Sequence, residues 1–353
     1  MMTRQRDHSL DLMKGLLVLL MTWGHVMQFF GDHHLFPVMG QLELGINLLV
    51  FPSFVFAFGW AVAIAYYSRP FQKAWRGMLS SALKPLGAFY LSGIAFRVLR
   101  ENRPLSWRAV RRILLFQDVP GWSEFLASFF ALALLALVIY WPLKRLKDRP
   151  LWLLPLGAAL LALCFIPYAN IKNPLLRLYL GTDAYASFPV LQYSPYFLAG
   201  LAWPGLKKKK WGRFTLPALA LLSTLGGWWR GHALGSLPQR FPPDIGWILL
   251  PASGVAALAG IGFLLSRFPT VDRLCLDVCR PLRGLGANSL YYLLAGNLVL
   301  FTMAGKGLTP QLQFKARGLF GQSIKAPSGA FWWALVFLIS AAFVAGIIRK
   351  SSR

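Results

Sequence analysis

Asp11, Lys14 and His25 stand in one apolar segment, SLDLMKGLLVLLMTWGHVMQFF. An imidazole titrates near neutral pH and can accept a proton from a reacting hydroxyl, whereas an ammonium group can hold a phosphate. Titratable groups are costly in an apolar segment of this length, and they often mark a functional site there. The residue types therefore predict a general base and an anion-binding cation within one helix.

The spacing of Lys14 and His25 predicts that both lie on one face of that helix. They are eleven residues apart, which at about 100° per residue is about 20° from three full turns. Their separation along the axis is about 16 Å, so His25 lies near mid-membrane if Lys14 is at the cytoplasmic surface. Asp11, one turn earlier, can pair with Lys14. The alternative is that Lys14 snorkels to the head groups and His25 bonds a neighbouring helix without chemistry.

The composition indicates the kind of protein that positions these residues. The chain has 353 residues, of which 56% are hydrophobic and 15% aromatic, and its mean hydropathy is +0.52. Apolar runs long enough to cross about 30 Å of hydrocarbon recur along it. The sequence predicts an all-α, polytopic membrane helical bundle of about ten transmembrane helices. The predicted spans are 10–30, 44–67, 78–98, 123–143, 151–168, 188–205, 214–230, 245–266, 284–303 and 328–348.

The charge of the chain is +25, which in a soluble protein would suggest nucleic acid as a partner. The cations instead cluster in the loops between apolar runs, a pattern typical of loops that lie against anionic lipid. We therefore expect membrane lipid, and no nucleic acid, as a partner.

Placing the N- and C-termini in the cytoplasm makes most basic loops cytoplasmic. The loops 99–122 and 304–327 are also basic but fall on the outer side, and we interpret Trp107 to Phe116 as an interfacial amphipathic helix.

The pattern of spans predicts a single transmembrane domain over residues 1–353 with no appended soluble domain. The three cysteines form no second pair that would complete a zinc site, so no metal centre is expected.

The first span resembles that of the acyltransferase-3 family of integral membrane acyltransferases and its wider superfamily. That family's first helix has an Asp, then Arg or Lys followed by Gly, and a His eleven residues after the basic residue. Here the match is Asp11, Lys14, Gly15 and His25. Lys14 stands where Arg is usual, and Lys offers a point charge instead of a bidentate fork.

Three later segments extend the resemblance over most of the chain. In FQKAWRGMLSSALKP, Lys73 and Arg76 resemble the family's basic pair before a Pro, and YSPYFLAGLAWPG and LGANSLYYLL resemble two further segments. Phe58 precedes Gly59 where many relatives have Ser-Gly, and Asn297 occupies a region where relatives often carry a His.

The resemblance implies transfer of an acyl group, most simply acetyl, from cytoplasmic acetyl-CoA to a hydroxyl of a glycan or lipid-linked sugar. It implies that Lys14, Lys73 and Arg76 bind the donor, that Asp11 holds Lys14, and that His25 is the base or a transient acyl carrier. It further implies a location in the bacterial inner membrane. Two alternatives stay open: a transporter or flippase for a lipid-linked saccharide with His25 as proton relay, and a structural membrane component.

Three further places in the sequence each have a functional and a plain interpretation. Glu124, at the outer start of the fourth span, could orient His25 or bind the acceptor, or it could be solvated at the interface. Arg97 and Arg100, at the end of the third span, could contact an anionic acceptor outside or simply snorkel. The run Lys207 to Lys210 could attract the donor's phosphates or lipid head groups.

Overall fold

The computed structural model describes residues 7–30, 37–267 and 276–305, and every regular element in these ranges is a helix. A π-helical turn, Phe96–Arg100, extends α3, and short 3₁₀ turns flank α7. In chain order the α-helices are α1 (His8–Phe30), α2 (Pro37–Ala65), α3 (Phe71–Ala95), α4 (Trp107–Leu114), α5 (Glu124–Val138), α6 (Tyr140–Lys147), α7 (Leu153–Ala162), α8 (Pro174–Leu180), α9 (Val190–Leu206), α10 (Lys210–Leu234), α11 (Ile245–Leu249), α12 (Ala252–Arg267), α13 (Leu276–Ala287) and α14 (Ser289–Ala304).

Four helical stretches among these residues are long and apolar enough to cross a membrane. Two further pairs of helices would each make one span but are bent, α5 with α6 by 83° and α13 with α14 by 86°, which gives up to six. The all-α architecture is thereby confirmed for the described residues, and the long apolar helices support a membrane protein. The predicted span 328–348 lies outside the described residues. The four straight stretches are His8–Phe29, Gly40–Ala65, Phe71–Arg100 and Ile245–Leu264.

The helix predicted from Trp107 to Phe116 is present as α4 and ends at Leu114. Ser106 begins it as an N-cap whose hydroxyl accepts from the Ala109 amide at 3.3 Å. Phe116 has a φ of 55°, which is incompatible with a helix and explains the earlier end.

The described chain forms two compact units. We call residues 7–50 and 257–305 the terminal unit and residues 51–256 the central unit, and the boundaries fall within α2 and α12. His25 belongs to the terminal unit, and Glu124 belongs to the central unit.

The terminal unit is built on a close contact between the backbones of α1 and α13. A Cβ at Gly286 would overlap the carbonyl oxygen of Asp11, and a Cβ at Gly15 would overlap that of Leu282. Apolar side chains gain little by leaving lipid for a helix interface, so membrane helices associate where small residues allow close van der Waals contact. Gly15 and Gly286 therefore fix the position of α1 against α13.

We expect Gly286→Ala to destabilise the fold by at least about 1–3 kcal/mol, because the added methyl group forces the two backbones apart. Gly284→Ala is the matched control in the same helix, since nothing lies within 4 Å of a Cβ there. That control should melt at or slightly above the wild-type temperature, because Ala favours a helix over Gly. Thermal unfolding in detergent measures both, and equal midpoints would contradict the contact.

Candidate functional site

His25 is hydrogen-bonded to a residue 272 positions away in the chain. Its Nδ1 lies 3.0 Å from Oδ1 of Asn297, which is on α14. With the amide oxygen as acceptor, Nδ1 donates its proton, so in the neutral ring Nε2 is the nitrogen that can accept one. Asn297 is 2% exposed. This pair thus holds the imidazole in one orientation and one tautomer.

A small apolar cluster lies beside this pair. Val26 and Leu300, the neighbours of the pair on each helix, are both buried and pack together, with Trp23 and Phe29 against them. The Phe29 ring also meets the Phe301 ring edge to face, with 6.2 Å between centroids. The Asn297 end of the hydrogen bond is therefore shielded from competing water, whereas His25 is half-buried.

A second set of polar side chains lies one turn beyond His25. Gln28 donates to Oδ1 of Asn47 on α2 at 3.2 Å, and Asn47 donates to Glu43 at 3.3 Å. Sequence reasoning missed these residues and the pairing of Asn297 with His25. One sequence feature could have indicated Gln28: it is three residues after His25 and therefore lies on the same face of the helix.

Asp11 and Lys14 lie on the same helix as His25. α1 runs without interruption from His8 to Phe30. Regular helix geometry over this range places Lys14 and His25 on one face, about 16 Å apart along the axis. Asp11 is buried and Lys14 is half-buried. Asp7 caps the helix by accepting from the Ser9 amide at 3.2 Å.

Lys73 and Arg76 belong to the central unit, in the first turns of α3. Both are exposed, and the Arg76 guanidinium lies over the neighbouring Trp75 ring at 5.4 Å. Their spacing of three residues puts both cations on one helix face. That they bind a donor together with Lys14 stays a prediction.

Glu124 begins α5 and is buried, with 9% of its surface exposed. The interpretation of Glu124 as a solvated interfacial residue is therefore wrong. Its Oε2 has no hydrogen-bond partner among the described residues, and the Arg240 guanidinium is near enough to attract its charge. An acidic group in this position needs a compensating partner. Its proposed effect on His25 stays a prediction.

Sequence reasoning also missed several polar residues of the central unit. Arg240 lies over the Phe188 ring at 5.8 Å, and Ser128 of α5 donates to the Phe188 carbonyl at 2.7 Å. Gln192 is fully buried and donates to the Leu180 carbonyl at 2.7 Å. Burial raises the pKa of Tyr185 to about 12, so this phenol stays protonated at neutral pH. No short-range sequence pattern links these residues, because they come from separate segments.

Arg97 has a structural explanation. Its guanidinium forms ion pairs of 2.5 Å with both Glu101 and Asp118, and its side chain is 18% exposed. These bonds attach the loop after α3 to the end of that helix. The cation is thus neutralised by the protein itself.

Comparisons with known proteins give no assignment for this site. No protein-family model matches the chain, and no curated protein is significantly similar to it. The chemistry of the site therefore has to be inferred from its own residues.

We expect His25 and Asn297 to be energetically coupled. A double-mutant cycle of His25→Ala and Asn297→Ala should give a coupling of roughly 0.6 kcal/mol, the usual value for a hydrogen bond between membrane helices. Ser289 provides the control cycle, because it is also buried on α14 but lies about 12 Å further along the axis. Unfolding in detergent measures both cycles. Additive effects of His25→Ala and Asn297→Ala would contradict the pairing.

Proposed function

We propose that this chain is a membrane acyltransferase that moves an acetyl group from acetyl-CoA to a hydroxyl of a glycan or lipid-linked sugar. The observation that carries the proposal is the hydrogen bond between His25 and the buried amide of Asn297, beside a small apolar cluster. It is the arrangement that a general base requires, in which one ring nitrogen is held by a fixed acceptor and the other can take a proton. The first-span pattern of Asp11, Lys14, Gly15 and His25 supplies the reaction class.

The proposed step conserves atoms and charge. Nε2 of His25 takes the proton of the acceptor hydroxyl while the hydroxyl oxygen attacks the thioester carbonyl carbon. The carbon–sulfur bond then breaks, an ester forms, and the proton passes from His25 to the thiolate of coenzyme A. Asn297 positions the ring throughout and stabilises the imidazolium through Nδ1.

The remaining predicted residues have supporting roles in this proposal. Lys14, Lys73 and Arg76 bind the phosphates of the donor, and Asp11 orients Lys14. Glu124 contributes to binding of the acceptor. About ten spans, cytoplasmic termini and a location in the bacterial inner membrane belong to the same proposal, supported by the distribution of basic loops.

A transporter for a lipid-linked saccharide is the second candidate, and the bent helices favour it. α13 meets α14 at 86° immediately before the helix that carries Asn297. Interrupted helices are typical of transporters, where they line the substrate site. In that case His25 relays a proton and no acyl group is transferred.

We expect His25→Ala to reduce acetyl transfer about 10²–10⁴-fold, the usual contribution of a general base. The assay follows radiolabel from acetyl-CoA into the glycolipid and polysaccharide fractions of membrane vesicles that contain the full chain. His232→Ala is the matched control, because His232 is exposed on the last turn of α10. Full transfer by His25→Ala at equal expression would reject the mechanism. No transfer by the wild-type chain, together with proton-coupled saccharide uptake that requires His25, would favour the transporter.

We expect Asn297→Ala to lower kcat about tenfold or more with little change in KM for acetyl-CoA, because it removes the acceptor that orients the ring. Asn297→Asp keeps an oxygen at this position and should retain more activity than Asn297→Ala. Steady-state kinetics on the same vesicles measures both variants. A rise in KM alone would instead place Asn297 in donor binding.

A further inference from the structure

The central unit contains a cavity of 320 Å³ bounded by α7, α9, α10 and the segment from α11 into α12. Its lining is dominated by aliphatic side chains such as Leu154, Leu161, Leu198 and Leu219. The cavity is large enough for a small organic ligand or part of a lipid chain.

The hydroxyl protons that line the cavity are already used by the protein. Its lining contains three hydroxyl groups, and each donates to a backbone carbonyl. Thr215 bonds Trp211 at 2.8 Å, Ser223 bonds Leu219 at 2.9 Å, and Tyr196 bonds Ile248 at 2.5 Å. A ligand in this cavity would therefore be hydrocarbon where it lies between the helices.

The length of the cavity matches one leaflet of a bilayer. Along α10 its lining extends from Trp211 to Ser223, twelve residues or about 18 Å, and the hydrocarbon of one leaflet is about 15 Å thick. Large apolar side chains of the lining are also solvent-accessible, since Leu151 is 72% and Leu154 is 49% exposed. An acyl chain lying along α10 would cover this surface.

One end of the cavity is strongly basic. Trp211 lines that end, and the Lys209 ammonium lies over its ring at 5.4 Å. Lys208, Lys210 and Arg213 are exposed beside it. Clustered cations at a membrane surface attract anionic head groups, with each cation adding to the affinity.

From the apolar cavity and its basic end we infer a binding site for one anionic membrane phospholipid. One acyl chain lies along α10 in the cavity, and the phosphate contacts the cations of Lys208 to Lys210 and Arg213. This lipid site does not depend on the proposed acyltransferase function. Every residue in the site belongs to the central unit, whereas His25 belongs to the terminal unit.

The test uses the full chain, purified in detergent and stripped of lipid, with phosphatidylglycerol as the probe. Native mass spectrometry and thermal unfolding should show one bound phosphatidylglycerol per chain. Phosphatidylcholine with the same acyl chains should bind at least about tenfold more weakly. Equal binding of the two lipids would overturn the site, and so would tight binding of a polyprenyl phosphate with no binding of phosphatidylglycerol.

Two pairs of variants test separately how the cavity and its basic end contribute to lipid binding. Ala220 lines the cavity, so Ala220→Phe fills it and should abolish binding. Ala218 is exposed on the same helix and lies outside the lining, so Ala218→Phe should have no effect. Ala199→Leu is a smaller filling variant in case Ala220→Phe does not fold. Retained binding in the folded filling variants would overturn the proposal, and a lipid-free dimer that excludes phosphatidylglycerol would assign the surface to a second copy.

Replacing Lys208, Lys209 and Lys210 together by Ala should weaken phosphatidylglycerol binding at least about tenfold. Replacing Arg108, Arg111 and Arg112 of α4 removes the same charge from another exposed basic surface. This control should leave the affinity unchanged. An equal loss in both triple variants would mean that only the overall charge matters and would overturn the specific site.

Discussion

The backbone of α1 lies against that of α13 at Gly15 and Gly286, and the arrangement of the terminal unit depends on this contact. α13 ends one residue before the chain turns by 86° into α14. Asn297 is carried by the helix that follows this bend, and its amide oxygen meets the imidazole of His25.

Polar groups are buried in both units, and each buried polar group needs a partner that replaces the water it has lost. A polar atom removed from water loses several kcal/mol unless another group replaces the water. His25 meets this requirement through Asn297, and Arg97 does so through Glu101 and Asp118. Glu124 has one carboxylate oxygen without a hydrogen bond among the described residues. Such a group is where a bound ligand would gain most from a hydrogen bond.

The basic residues of the chain do not all have the same function. Arg97 is neutralised by carboxylates of its own chain, whereas Lys208 to Lys210 are exposed beside an apolar cavity. Lys14 shares a helix with His25. A count of charges or a positive-inside distribution treats these residues as equivalent, and only their neighbours distinguish them.

The sequence by itself determined the helical membrane architecture, because apolar length and the period of 3.6 residues are local properties. It also determined that Lys14 and His25 share a face, since α1 is one uninterrupted helix. The tertiary structure decided the partner of His25, the burial of Glu124 and the apolar cavity that adjoins the basic run Lys208 to Lys210. These features join residues from distant segments, and helix packing sets their distances. A single sequence carries no periodic signal for such contacts, because they depend on where small residues let two backbones meet.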